Sequence, residues 1–149
     1  MIKHIFFPTD GSENAKGAFD YLKSLAVQNK AKVTVFFAYD VSIIGTTATL
    51  AGIDYSSLYD LEDKLKKYGE ELVEDVKKQL EAENLTVEIK IARGVPSEVT
   101  VAAIQESGCD LVVMGRRGLG GFKSFLLGSV SAHVIHHVKC PVLLIPAIK

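Results

Sequence analysis

Short apolar segments rich in β-branched and aromatic residues alternate along this chain with longer segments whose apolar residues recur at helical spacing. The strand-like segments are 2–7, 33–39, 85–91, 111–114 and 142–145. The helical segments begin near Ser12, Leu58, Pro96 and Ser129. Strands joined by helices require right-handed crossovers, which place the strands parallel and cover both faces of the sheet. The pattern predicts an α/β fold with a five-stranded parallel sheet.

Local signals refine this pattern. Ser12 is a good N-cap for the first helix, and Pro96 is typical of the first turn of another that ends near Gly108. Apolar residues keep one face for about 25 residues after Leu58, which predicts the longest helix. Residues 85–91 alternate apolar with polar, which indicates a strand at the edge of the sheet. Residues 42–57 form the long irregular segment.

Length and charge exclude several classes of protein. A chain of 149 residues is typical of one domain, so we expect a single domain over residues 1–149. The net charge of −1 provides no field to hold nucleic acid or an anionic membrane. The sequence contains no apolar run that approaches the roughly 20 residues of a membrane span. The apolar part of its N-terminus is too short for a signal peptide. We expect a cytoplasmic protein with no nucleic-acid or membrane partner.

The segment from Gly115 to Ser129, GRRGLGGFKSFLLGS, lies between a predicted strand and a predicted helix. Glycines in such a turn let backbone N–H groups approach an anion, and the unpaired N–H groups of the helix start add partial positive charge. The Ser129 hydroxyl can contribute as well. The spacing fits neither the Walker A loop nor the Rossmann glycine motif. We interpret the segment as a phosphate-binding loop.

This glycine pattern, G-x-x-G followed by nine residues and then G-S, closely resembles the nucleotide-binding signature of the universal stress protein family. The resemblance extends over nearly the whole chain. It includes PTDGSE at 8–13, GVPSE at 94–98, and GSVS and CPVLLIP near the end. It implies strand order 3-2-1-4-5, ATP as ligand with Mg²⁺, and a homodimer formed through the edge strand Val142 to Ile145.

The resemblance also implies which residues contact the adenine and the ribose. Pro8, Thr9 and Asp10 match positions that border both. Ala38 matches a position that meets the base through its backbone, and Gly94 matches one near the ribose. From its place at the end of the first strand, Asp10 can bind a ribose hydroxyl or a Mg²⁺ ion, and it can equally cap the first helix.

The phosphate-binding positions of the family match Gly115, Gly118, Gly128, Ser129 and Val130. Arg116 and Arg117 fall where the family pattern varies. A guanidinium matches the geometry of a phosphate, so either arginine can contact one, although most loop arginines are simply solvated.

Histidines and cysteines raise the question of a metal site. His133, His136 and His137 recur on the last helix, and Cys140 follows them. The far end of that helix lies about 15 Å along its axis from the phosphate site. We predict no metal held by protein side chains alone. Cys109 and Cys140 each precede a predicted strand, so both lie at the edge of the sheet opposite the phosphate site. We expect both thiols to be reduced and buried.

The sequence leaves three classes of function open. The first is an ATP-binding regulatory protein that is recognised by an unknown protein partner and hydrolyses ATP slowly at most. No obvious catalytic base other than Asp10 is present. The second is a dimeric scaffold that uses no nucleotide. The third is a phosphoryl-accepting receiver domain, which the chain fits poorly because it lacks a second carboxylate beside Asp10 and a lysine that ends the last strand.

Overall fold

The computed structural model describes residues 1–42, 52, 55–117 and 127–146. The strands are β1 (His4–Pro8), β2 (Lys32–Tyr39), β3 (Val87–Arg93), β4 (Leu111–Gly115) and β5 (Val142–Ile145). The helices are α1 (Glu13–Asn29), α2 (Tyr55–Glu81), α3 (Pro96–Ser107) and α4 (Ser129–His137). None of the helices in these ranges is long and apolar enough to cross a bilayer.

All five strands are parallel, and their order is β3-β2-β1-β4-β5. The predicted fold class and strand order are therefore confirmed. The direction of winding reverses between β1 and β4, where Ile5 is in register with Leu111. Ligands of open α/β sheets bind outside the carboxyl ends of the strands at such a reversal.

Successive residues of the central strand face opposite sides of the sheet, and each side has its own core. Phe7 belongs to the core on the side of α1 and α2, together with Leu22 and Leu80. Phe6 belongs to the core on the side of α3 and α4, together with Ile104 and Val134. Each such side chain contributes on the order of 1.5–3 kcal/mol when fully buried. An apolar core on each face therefore fixes the sheet, and with it the strand ends from which the connections at the carboxyl edge begin.

The element boundaries differ from the sequence predictions in small ways. α2 begins at Tyr55, so the last residues of the predicted irregular segment are helical, and most of the rest of that segment lies outside the described residues. β3 lies at the sheet edge as predicted. Glu88 and Lys90 are half-buried rather than exposed, whereas Arg93 is exposed. The Glu88 carboxylate lies 2.7 Å from the ammonium of Lys32 on the neighbouring strand β2.

Candidate functional site

The connection between β1 and α1 lies at the carboxyl edge of the sheet and contains Thr9, Asp10 and Ser12. Thr9 is buried, and its amide donates to the Phe36 carbonyl at 2.9 Å. Ser12 is the N-cap of α1, as predicted, and its hydroxyl accepts from the Ala15 amide at 3.3 Å. The Asp10 carboxylate accepts from the Ser12 amide at 2.9 Å. The suggestion that Asp10 itself caps α1 is therefore wrong, because it closes the turn before the cap.

Helix α2 contacts the same connection from the side. The Tyr68 hydroxyl donates to the Asp10 carbonyl at 3.1 Å, and a Cβ at Gly11 would collide with that hydroxyl. Sequence reasoning did not find Tyr68, because 58 residues separate it from Asp10. The contact fixes the backbone at Asp10 from outside the strand–helix unit.

The end of β4 lies directly against the first turn of α1. A Cβ built on Gly115 would come within 2.9 Å of the Asn14 carbonyl carbon and oxygen. Real Cβ atoms do not tolerate backbone that close, so the sequence needs a glycine here. This close approach brings the Thr9 to Ser12 connection and the start of the glycine-rich segment together.

Arg116 joins the end of β4 to β5 and to α4. Its amide donates to the Ile145 carbonyl at 2.9 Å. Its carbonyl accepts from the Gly128 amide at 3.0 Å and from the Ser131 hydroxyl at 2.7 Å. The start of α4 is therefore fixed beside the end of β4. Gly118, the remaining glycine of the predicted pattern, lies outside the described residues.

The first turn of α4 has no side-chain cap within the described part of the chain. Its N-cap is Gly128, whose own amide is already bonded to Arg116. The next amides, those of Ser129 and Val130, belong to the first turn, where no carbonyl of the same helix can accept from them. Ser129 is exposed and Val130 is half-buried. An uncapped helix start of this kind favours an anion.

Two buried side-chain atoms, on residues at or against the end of β4, have no hydrogen-bond partner in the described ranges. They are the Arg116 Nε and the Asn14 Oδ1. Leaving a buried donor or acceptor unsatisfied costs about 1–3 kcal/mol, so native proteins rarely keep such atoms without a reason. The donor on Arg116 suits an anionic group. The spacing of the glycines gave no signal for Asn14, which contacts the site only because α1 and β4 are adjacent.

The predicted adenine and ribose positions follow neighbouring strands at the same edge. Pro8 ends β1, and Ala38 lies near the end of β2, half-buried and in register with Ala92 of β3. Gly94 follows β3 with a φ of +144°, a conformation that favours glycine, and its amide donates to the Tyr39 carbonyl at 2.9 Å.

Asp40 is a carboxylate at this edge that the sequence analysis did not single out. It directly follows β2 and accepts from the Ser42 amide at 2.8 Å and from the Ser42 hydroxyl at 2.9 Å. These hydrogen bonds lower the pKa of Asp40, so it stays ionised at neutral pH. An acidic residue immediately after a predicted strand was the available signal.

The histidines of α4 lie toward its other end. The rings of His133 and His137 stack with centroids 4.0 Å apart, and the His137 Nδ1 lies 2.8 Å from the His133 carbonyl oxygen. Within the described ranges, no group of three or more histidine, cysteine or acidic residues could hold a metal ion.

Comparison with known proteins identifies the family. A sequence model of the universal stress protein family matches residues 1–146. The chain belongs to the universal stress protein family. The family resemblance inferred from the sequence is therefore confirmed.

Solved structures of other universal stress proteins share the fold. The MJ0577 protein of Methanocaldococcus jannaschii is 30% identical, with 100% of this chain and 99% of that chain covered and a TM-score of 0.84. A universal stress protein in complex with cAMP is 24% identical, with 99% and 98% covered and a TM-score of 0.66. An Arabidopsis thaliana protein of the family with AMP bound is 19% identical, with 99% and 93% covered and a TM-score of 0.68.

The fold of this universal stress protein thus brings most of the predicted site residues to one edge of the sheet. Those at the ends of β1, β2 and β3 are Pro8, Thr9, Asp10, Ala38 and Gly94. Those at the end of β4 and the start of α4 are Gly115, Arg116, Gly128, Ser129 and Val130. A Cβ at Gly115 would meet Asn14, four residues after Asp10, so the two groups lie side by side at the reversal.

Proposed function

We propose that this universal stress protein binds an adenine nucleotide, ATP with Mg²⁺, at the carboxyl edge of its sheet and acts as a nucleotide-dependent regulatory module. One observation carries the proposal. In the described ranges the start of α4 has no side-chain cap, and it is bonded to the backbone of Arg116, a residue whose buried side-chain Nε has no partner there. A phosphate group satisfies both at once, because it accepts from backbone amides and from a guanidinium.

The phosphates are assigned to the end of β4 and the start of α4. The amides of Ser129 and Val130 and the Ser129 hydroxyl donate to them, and Arg116 contributes its charge. Because the Gly128 amide is bonded to the Arg116 carbonyl, the role of Gly128 is to leave room for the anion rather than to donate to it. Gly118 is assigned to the same group from the family resemblance alone.

The adenosine part is assigned to the ends of β1, β2 and β3. Asp10 binds a ribose hydroxyl or the Mg²⁺ between the phosphates, since carboxylate oxygens are preferred ligands of that ion. Its backbone is held by Tyr68, so the side chain starts from a fixed position. Pro8, Thr9 and Gly94 border the sugar and base, and the backbone of Ala38 meets the base.

The choice of an adenine nucleotide is supported by relatives. Two universal stress proteins of the same fold have been solved with AMP and with cAMP bound. ATP is the member of this class that the glycine pattern of the family implies.

Hydrolysis of the bound nucleotide is proposed to be slow at most. Phosphoryl transfer to water needs a group that orients the water and charge that stabilises the departing phosphate. The Asp10 carboxylate already accepts from the Ser12 amide, and the Asp40 carboxylate is occupied by Ser42. Asp10 is assigned to the ribose or the Mg²⁺ ion, and both oxygens of Asp40 accept from Ser42, so the proposal leaves neither carboxylate to activate a water.

A ligand panel tests the proposal. Thermal unfolding is followed with Mg²⁺ and ATP, ADP, AMP, cAMP, GTP or tripolyphosphate. We expect ATP to raise the melting temperature most, because a ligand at about 100 times its Kd stabilises the folded state by about 2.7 kcal/mol. An equal rise with tripolyphosphate would remove the adenine assignment. No rise with any compound at millimolar concentration would leave the alternative, a scaffold that binds no nucleotide.

The assembly and the partners are part of the same proposal. We propose a homodimer paired through β5, which lies at one edge of the sheet and whose residues Val142 to Leu144 are only half-buried. An open apolar edge strand invites pairing with another chain. A regulatory protein partner, a single domain over residues 1–149 and a cytoplasmic location remain predictions.

The dimer has its own test. We expect sedimentation velocity at micromolar concentration to give a species of twice the 16.2 kDa chain mass, and Leu143→Lys on the edge strand to shift it to the monomer. A wild-type sample that sediments only as the monomer would contradict the pairing.

A further inference from the structure

The two cysteines of the chain meet at the edge of the sheet opposite the candidate nucleotide site. Cys109 lies between α3 and β4, and Cys140 lies between α4 and β5. Their sulfur atoms are 3.8 Å apart. Cys109 is buried as predicted, whereas Cys140 is only half-buried. Both are free thiols, as predicted from the sequence.

The positions allow a covalent bridge. The two thiols precede neighbouring parallel strands in which Val112 is in register with Val142. A disulfide needs the two sulfur atoms at about 2.05 Å, so rotation of the side chains and a small adjustment of the backbone must close the remaining gap. Cys109 and Cys140 both lie outside the regular strands, where such an adjustment does not break the ladder of backbone hydrogen bonds.

We propose that Cys109 and Cys140 form an oxidation site at which a hydroperoxide converts the two thiols into an intramolecular disulfide. The more accessible Cys140 attacks the peroxide as a thiolate, the O–O bond breaks, and a sulfenic acid forms at Cys140. The Cys109 sulfur then attacks that sulfur, the S–S bond forms and water leaves. Two thiols give two electrons and two protons to one hydroperoxide, which is reduced to an alcohol or, for hydrogen peroxide, to water, with a further water released.

The surroundings of Cys140 determine the rate of this reaction. Burial, the neighbouring Cys109 and the charge of Asp110 raise the pKa of Cys140 to about 11. Only the thiolate is the nucleophile, so little of it is present at neutral pH. We therefore expect oxidation under sustained exposure to peroxide rather than rapid scavenging, with a rate that rises about tenfold per pH unit below the pKa.

The bridge would join parts of the chain that frame the candidate site. The loop it closes runs from Cys109 to Cys140 and contains β4, the glycine-rich segment and α4. Closing a loop of this length restricts the unfolded chain, so we expect the melting temperature of the oxidised protein to rise by roughly 5–10 °C. This inference does not rest on nucleotide binding.

The test uses the full-length protein incubated with hydrogen peroxide near neutral pH and at higher pH. After denaturation, free thiols are alkylated and the intact mass is measured. We expect the oxidised chain to weigh two hydrogens less and to take up no alkyl groups. After reduction with dithiothreitol, the chain should take up two alkyl groups. Since the chain has only two cysteines, that result identifies the bridge.

Single variants supply the controls. Cys140→Ser and Cys109→Ser each leave one thiol, and neither should lose two hydrogens or gain thermal stability on treatment. Two outcomes in the wild type would overturn the proposal. One is added oxygen on both sulfurs with no bridge, and the other is a covalent dimer on a non-reducing gel.

Discussion

Replacing Gly128 with valine is expected to abolish nucleotide binding while leaving the fold intact. Gly128 has a φ of −63° and a ψ of 159°, an extended conformation that valine adopts readily. The branched side chain would project at the start of α4, where the phosphate must approach the Ser129 and Val130 amides. We expect affinity to fall at least about 100-fold, or roughly 2.7 kcal/mol. The N-cap change should cost at most about 1 kcal/mol of stability.

Isothermal titration calorimetry with ATP and Mg²⁺ measures the affinity, and thermal unfolding reports the fold. Gly108→Ala is the matched control. Gly108 has a φ of +61° at the end of α3, on the opposite edge of the sheet, so alanine there should lower stability by about 1 kcal/mol without changing the affinity. If Gly128→Val bound ATP as tightly as the wild type, the ligand would sit elsewhere.

The Gly115→Val protein is expected to be markedly less stable. The added Cβ would lie 2.9 Å from backbone atoms of Asn14, which cannot rotate away as a side chain could. β4 cannot move aside easily either, because it is paired with β1 on one side and with β5 on the other. Overpacking of this kind costs about 1–3 kcal/mol, which corresponds to a melting temperature lower by roughly 3–10 °C.

Urea unfolding measures this loss, and Gly115→Ala should show much of it, because alanine adds the same Cβ. A Gly115→Val protein as stable as the wild type would show that α1 does not pack so closely against β4. The two glycine variants together separate two roles within one sequence motif. Gly115 is required by the contact between α1 and β4, whereas nothing in the conformation of Gly128 requires glycine.

The sequence predicted the elements well because their signals are local. Apolar periodicity identified the strands and helices, and Ser12 identified the start of α1. The strand order came only with the family resemblance, since nothing in the spacing of β1 and β4 shows that they pair. For the same reason the resemblance was needed to place Asp10 near Gly115.

The contacts that shape the candidate site were beyond sequence reasoning because they join distant parts of the chain. Tyr68 reaches the Asp10 carbonyl from another helix, and the Ser131 hydroxyl reaches the Arg116 carbonyl across 15 residues. The hydrogen bond from the Gly128 amide to the Arg116 carbonyl likewise joins the two ends of the glycine-rich segment, and the glycine pattern gave no signal for it.

Equilibrium dialysis of the wild-type protein against ATP and Mg²⁺ tests the central claim most directly, because it detects binding without requiring any change in shape or stability. We predict saturation at one nucleotide per chain with a Kd below millimolar, and competition by AMP. No retained ATP at millimolar concentration would contradict nucleotide binding at the start of α4.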